Sequence, residues 1–133
     1  MPIDYAEELV ANYEHPHNKG KMSGADAEFH EYNPVCGDDL TVYLKIAGGV
    51  VKEVKFDGTG CAISIASASL LTDEVKGKRL SDIEKMGFEE LKGIIGIDPG
   101  PVRLKCATLS LKALKNAVFL YEHKKADKGT EAL

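Results

Sequence analysis

The stretch DLTVYLKIAGGVVKEVKF, residues 39–56, decides the fold. Its first half alternates apolar and polar residues, and this period of two is typical of a half-buried strand. The apolar set on one face of that strand is Leu40, Val42, Leu44 and Ile46. Gly48-Gly49 is a two-residue hairpin signal, and residues 50–56 return as a second strand with Val50, Val54 and Phe56 on one face. We therefore predict an antiparallel hairpin.

The segment before the hairpin predicts a helix followed by less regular structure. Apolar residues at helical spacing predict a helix over residues 3–14. Pro16 ends this helix, because the residue before a proline disfavours the α conformation. Residues 15–35 are then expected to be irregular, with residues 26–33 as the candidate for a third strand.

The segment after the hairpin is predicted to be helical. Residues 62–76 form a buried helix of small and apolar residues that Gly77 ends, and a capping box at Ser81 and Glu84 opens a short helix. Residues 88–95 form another short helix. After a stiff turn at 98–101, an apolar stripe predicts a long helix over 104–123. The stripe consists of Leu104, Ala107, Leu111, Leu114, Val118 and Tyr121.

The order of these elements indicates the fold class. Strands and helices are segregated along the chain, which is typical of an α+β fold rather than a doubly wound sheet. A length of 133 residues suits one domain over residues 1–133, and we expect a polar tail from about residue 124.

Charge and hydropathy exclude several classes of protein. The chain carries 17 basic and 21 acidic residues, which argues against a non-specific nucleic-acid binder with its basic face. No apolar run approaches the roughly 20 residues of a membrane span. Residues 1–8 are acidic and lack the apolar core of a signal peptide. We expect a cytoplasmic protein with no nucleic-acid or membrane partner.

Three cysteines are the first candidates for chemistry. Cys36, Cys61 and Cys106 have 24 and then 44 residues between them. An odd number of cysteines in a cytoplasmic chain does not make a disulfide framework, and the absence of a CxxC pair argues against a zinc ribbon or a thioredoxin motif. The alternative interpretation is three buried and inert thiols.

The neighbours of the cysteines favour a shared ligand site. Cys36 and Asp38 flank a glycine before the first strand, so their side chains can turn toward one point. Cys61 follows a glycine turn at a predicted helix start, where backbone N–H groups favour a thiolate. Cys106 falls in the first turns of the long helix beside two cations, Arg103 and Lys105, which favour its thiolate too.

Three thiolates and one carboxylate limit which metal or metal cluster the site can bind. Soft sulfur ligands suit zinc, Cu(I) and iron–sulfur clusters. An aspartate is a harder and weaker donor for iron, which indicates a site that releases what it binds. The histidines at positions 15, 17, 30 and 123 are interpreted as solvated side chains, and the serine-rich stretch 64–69 as small residues for close helix packing.

Three motifs together resemble the IscU/SufU/NifU N-terminal family. They are NPVCGD at 33–38, GTGCAIS at 58–64 followed by ASAS at 66–69, and RLKCATL at 103–109. Residues 5–20 also resemble the opening helix and loop of that family, so that the resemblance spans about residues 5–121.

The resemblance implies a scaffold for iron–sulfur cluster assembly, more a scaffold than an enzyme. In that family a three-stranded antiparallel sheet packs against helices. A cysteine desulfurase delivers sulfur as a persulfide, iron is added, and a labile [2Fe-2S] cluster forms and passes to apo-protein acceptors. The ligands implied here are Cys36, Asp38, Cys61 and Cys106, with zinc as the alternative occupant. The sequence leaves open a monomer or a homodimer that shares a cluster.

Departures from the family pattern lead to alternative hypotheses about the function. The IscU branch has a histidine directly before the last cysteine, where this chain has Lys105. The RLKCATL run looks more like SufU, although the spacing leaves no room for the SufU insertion, and residues 98–103 differ from the chaperone-docking segment of IscU. The second hypothesis is therefore a zinc-bound sulfurtransferase of SufU type, with Cys36 or Cys106 as persulfide acceptor. A third is a structural domain with a closed zinc site.

Overall fold

The computed structural model describes residues 5–34 and 37–122. Within these ranges a helix is followed by three strands and then by a run of helices, so the α+β class is confirmed. The elements are α1 (Tyr5–Glu14), β1 (Ala27–Asn33), β2 (Asp38–Ala47), β3 (Val50–Thr59), α2 (Ala62–Val75), α3 (Leu80–Glu84), α4 (Phe88–Ile95) and α5 (Gly100–Tyr121).

The three strands form one antiparallel sheet in the order β1-β2-β3. Phe29, Val42 and Phe56 lie opposite one another across it, which fixes the register of all three strands. Gly48 and Gly49 both have positive φ angles, of 60° and 73°, as a tight hairpin turn requires. The predicted hairpin and the third strand over residues 26–33 are confirmed.

A register shift changes which valine of β3 enters the core. The pairing shifts between Lys45 and Ile46, so that Ile46 lies opposite Val51. Val51 is therefore fully buried and Val50 only partly. The prediction that Val50 shares the buried face is wrong, because an extra residue in one strand reverses the alternation that a regular ladder would have.

The core lies between the sheet and the helical layer. Helix α5 packs against β1, β2 and α2, and α2 packs against α1, α4, α5 and β3. Small side chains allow α2 to be enclosed in this way, since close contact between helices needs little side-chain volume at the contact. The largest fully buried side chains include Phe56, Leu40, Leu44, Leu71, Leu111 and Leu114.

Two predicted helix starts are wrong. Helix α3 begins at Leu80 with Ser81 inside it and makes no side-chain cap; a carboxylate instead caps α4, where Glu90 accepts the Gly87 N–H at 2.8 Å. Helix α5 begins at Gly100 rather than Leu104. Pro101 fits the first turn of this helix, because a backbone N–H there would have no partner within the helix.

The ends of α5 also differ from the predicted stripe. Of its members, Leu104 is only partly buried and Tyr121 is exposed, while the four residues between them are buried. The predicted polar tail and His123 lie outside the described residues. No helix in the described part of the chain is both long enough and apolar enough to cross a membrane.

We expect Gly58→Ala to destabilise the fold strongly. Gly58 lies in β3 opposite Leu40 with φ of +134°, and a Cβ there would stand 1.9 Å from the Asp39 carbonyl oxygen. Relieving that clash should cost about 3 kcal/mol of unfolding free energy, measured by urea denaturation.

Gly77→Ala is the matched control for this clash. Gly77 also has a positive φ, of +82°, but nothing lies within 4 Å of a Cβ built on it. Gly77→Ala should lower the free energy of unfolding by only about 1 kcal/mol, which is the cost of placing an alanine in the left-handed backbone conformation. Equal losses for the two variants would contradict the steric explanation.

Candidate metal centre

Three structural elements bring Asp38, Cys61 and Cys106 together. Asp38 is the first residue of β2, Cys61 directly precedes α2, and Cys106 lies in the second turn of α5. One carboxylate oxygen and the two sulfur atoms all lie within 4.8 Å of one another. Cys36, the fourth predicted ligand, lies outside the described residues. Among the residues that are described, the convergence expected from the sequence is present.

The carboxylate of Asp38 is buried and held by two donors. The side chain is 2% exposed. Its Oδ1 accepts the backbone N–H of Cys61 at 3.0 Å, and its Oδ2 accepts the hydroxyl of Ser64 at 2.5 Å. Both donors lie at the N-terminus of α2, where the helix dipole also favours a negative charge. Strand β2 and helix α2 are therefore joined at the site itself.

The thiol of Cys61 is half-buried beside this carboxylate. Its Sγ lies 3.8 Å from Asp38 Oδ2 and 3.6 Å from Ser64 Oγ. Burial and the nearby charge of Asp38 work to raise the pKa of Cys61, but hydrogen bonds, led by the one from the Ser64 backbone N–H, outweigh them and hold the pKa below its ordinary value. The thiolate needed for metal or sulfur chemistry is thus favoured at Cys61.

The thiol of Cys106 is enclosed. The residue has no exposed surface, while the two neighbouring cations, Arg103 and Lys105, are exposed. Its backbone carbonyl oxygen lies 3.1 Å from the Ser64 hydroxyl oxygen, so α5 contacts α2 at the site. Cys106 therefore joins the group of ligand atoms from the protein interior, and Cys61 joins it at the partly exposed edge.

Gly60 is required by the close approach of the chain to Asp38. A Cβ built on Gly60 would lie 2.9 Å from Ser64 Cβ and 3.4 Å from Asp38 Oδ1. The neighbours of this glycine are therefore the Asp38 carboxylate and Ser64, which donates to it.

Sequence reasoning missed Ser64. The serine-rich stretch 64–69 predicts small residues for close packing, and Ser67 fits that interpretation. Ser64 instead bonds to Asp38 and Cys106 and lies beside the Cys61 sulfur. The available signal was spacing: residues three apart in the first turn of a helix share a face, so Ser64 follows Cys61 onto the site.

Two of the described histidines, His17 and His30, form side-chain pairs elsewhere. His17 Nδ1 lies 2.5 Å from Asp73 Oδ2 and joins the loop after α1 to α2, and His30 pairs with Asp39 on the exposed face of the sheet. Within residues 5–34 and 37–122, no histidine belongs to the group of ligand atoms around Asp38.

The three donors fit a tetrahedral metal or an iron of a cluster. Thiolate bonds to zinc are about 2.3 Å long, which places neighbouring donors of a tetrahedron roughly 3.8 Å apart. The observed spacing, at most 4.8 Å, is therefore wider by no more than about 1 Å. Two sulfurs with one oxygen suit soft or borderline cations rather than magnesium or calcium.

Comparison with known proteins gives the family of this chain. Residues 4–128 match the model of the NifU-like N-terminal domain. The chain belongs to the NifU-like N-terminal domain family. Family relatives include the zinc-dependent sulfurtransferase SufU of Bacillus subtilis, 34% identical over 131 residues, covering 86% of this chain and 88% of the relative. The scaffold protein IscU of Thermotoga maritima is 38% identical over 130 residues, covering 86% and 92%.

A solved structure of the family has the same fold. The crystal structure of SufU from Fervidobacterium islandicum matches with a TM-score of 0.65 at 27% identity, covering 84% of this chain and 94% of that one. The three-stranded antiparallel sheet packed against helices, which the resemblance implied, is confirmed.

The lowered pKa of Cys61 predicts its reactivity in the metal-free protein. A pKa below the ordinary value keeps the nucleophilic thiolate present at lower pH, so the pH midpoint of iodoacetamide alkylation should fall below that of the same cysteine in urea. Peptide mass spectrometry follows Cys61 separately from Cys106, whose burial should make it react more slowly. A folded-state midpoint at or above the unfolded one would contradict the prediction.

Proposed function

We propose that this protein is an iron–sulfur cluster assembly scaffold. It receives sulfur from a cysteine desulfurase, holds a labile [2Fe-2S] cluster as cargo and passes it to apo-protein acceptors in the cytoplasm. The observation that carries the proposal is the meeting of Asp38, Cys61 and Cys106 within 4.8 Å at the junction of strand β2 with helices α2 and α5. Family membership and IscU relatives support the same function.

Cys36 completes the proposed ligand set. The covalent chain limits its Cα to about 7 Å from that of Asp38, because two residues span no more than that. Cys36, Asp38, Cys61 and Cys106 would then supply three soft thiolates and one hard carboxylate. The carboxylate is the weakest of the four donors for iron, so Asp38 is the ligand at which cargo exchange would begin.

Sulfur delivery would use a thiolate of the scaffold. That thiolate attacks the outer sulfur of the desulfurase persulfide, a new S–S bond forms on the scaffold, and the desulfurase cysteine leaves as a thiolate. Cys36 and Cys106 are the candidate acceptors. The complete burial of Cys106 disfavours attack from that residue.

The second candidate function is a zinc-bound sulfurtransferase. It is favoured by Lys105, which stands where the IscU branch has a histidine, and by the similarity to the zinc-dependent sulfurtransferase SufU. The same four residues would hold zinc, which would supply charge to stabilise thiolates beside it. Protein purified without oxygen would then contain about one tightly bound zinc and form no cluster.

The cluster proposal predicts the behaviour of Cys61→Ser. Anaerobic incubation of the wild-type chain with ferrous iron and sulfide should give a coloured species with about two irons, and Cys61→Ser should lose most of the visible absorbance because a hydroxyl is a poor ligand for iron. Ser67→Ala, which alters a buried residue of the same helix away from the ligand atoms, is the control and should reconstitute like wild type. Equal reconstitution of Cys61→Ser would show the ligand assignment to be wrong.

Asp38→Ala should slow cluster transfer. Removing the exchangeable ligand leaves the cargo held by thiolates, so the rate of transfer to an apo-ferredoxin, followed by circular dichroism, should drop several-fold. Because Asp38 also joins β2 to α2, the melting temperature of the apo variant is measured alongside, and transfer is compared below it. Transfer as fast as in wild type would count against an exchangeable carboxylate.

A further inference from the structure

The hydroxyl of Ser64 lies at the centre of the site. Ser64 has no exposed surface and lies in the first turn of α2. Its Oγ is 2.5 Å from Asp38 Oδ2, 3.1 Å from the Cys106 carbonyl oxygen and 3.6 Å from Cys61 Sγ. Ser64 is not one of the proposed ligands, yet its hydroxyl oxygen contacts three of the residues that are: Asp38, Cys61 and Cys106.

A serine hydroxyl has one proton to donate and two lone pairs to accept with. The carboxylate of Asp38 is both the nearest and the charged acceptor, so it takes the proton in preference to the neutral Cys106 carbonyl. The bond to Asp38 is thus the dominant interaction of Ser64.

Two hydrogen-bond donors fix the orientation of the Asp38 carboxylate, which a single donor would not do. The N–H of Cys61 holds Oδ1, and this bond alone leaves the carboxylate plane able to rotate about the Cβ–Cγ bond. The Ser64 hydroxyl holds Oδ2 and prevents that rotation. It also satisfies an oxygen of a side chain that is 2% exposed, where water cannot easily replace it.

We infer that Ser64 is a positioning residue, which sets the orientation of the Asp38 carboxylate toward the two cysteines. This inference rests on the proposed ligand role of Asp38 and extends it to a residue that itself binds no cargo. Partners that orient a ligand from behind commonly change metal affinity 10- to 100-fold when removed, roughly the effect expected here.

Ser67 separates this role from simple packing. It lies one turn further along α2, is likewise fully buried, and its hydroxyl finds no hydrogen-bond partner among the described residues. Ser64→Ala and Ser67→Ala remove the same atom from the same helix at the same burial. A packing role for Ser64 would give the two variants the same behaviour.

The test uses Co²⁺ and Zn²⁺ as probes of the apo protein without oxygen. Ser64→Ala should bind Co²⁺ roughly 10- to 100-fold more weakly, measured by titration and by competition with Zn²⁺. The visible ligand-field bands of its Co²⁺ complex should shift, because the oxygen donor is no longer held in one orientation. Ser67→Ala should keep the wild-type affinity and spectrum, and Ser64→Thr, which retains the hydroxyl, should recover the wild-type spectrum.

Each outcome bears on the inference. Ser64→Ala with wild-type affinity and spectrum overturns the positioning role and leaves the proposed function standing. Equal losses of Co²⁺ affinity in Ser64→Ala and Ser67→Ala would assign Ser64 to packing and overturn the positioning role. The same holds if Ser64→Ala lowers the melting temperature of the apo protein in proportion to its loss of affinity but leaves the Co²⁺ spectrum unchanged. A wild-type chain that binds neither Co²⁺, Zn²⁺ nor a cluster overturns the inference together with the proposed function.

Discussion

A buried carboxylate shared between a strand and a helix is the constraint on which the site depends. Asp38 is nearly inaccessible to water, and a buried charge costs several kcal/mol unless hydrogen bonds and neighbouring dipoles compensate it. The compensation comes from the first turn of α2, through the Cys61 N–H and the Ser64 hydroxyl. The bonds that make the charge tolerable are therefore the same bonds that bring Cys61 to Asp38.

The rest of the fold supports this junction from behind. Helix α2 is enclosed by α1, α4, α5 and β3, and its small side chains let α5 approach until the Cys106 carbonyl meets Ser64. Gly60 allows the chain to pass Asp38 without a side chain between them. The site thus combines one buried thiol with one partly exposed thiol, an arrangement that suits the proposed binding and release of a cargo.

Much of the secondary structure could be predicted because it follows from local patterns. The alternation in residues 39–47, Gly48-Gly49 and the helical spacing of the C-terminal half gave the hairpin and helices correctly. The errors arose where local signals competed. The register shift at Lys45 and Ile46 exchanged Val50 for Val51 in the core, and Glu90 rather than Ser81 took part in a helix cap. The register shift is not encoded in a single segment, since it depends on how the two strands pair.

The sequence by itself determined the order of the elements and the kinds of donor, because thiol and carboxylate chemistry belongs to the residues wherever they lie. Only the tertiary structure decided that Asp38, Cys61 and Cys106 meet, that Cys106 comes to the site from the interior, and that Ser64 takes part. The physical reason is separation along the chain: Asp38 and Cys61 are 23 positions apart, and Ser64 and Cys106 are 42 apart. Contacts over such distances are set by strand register and helix packing, where a one-residue slip would turn Asp38 to the opposite face of the sheet.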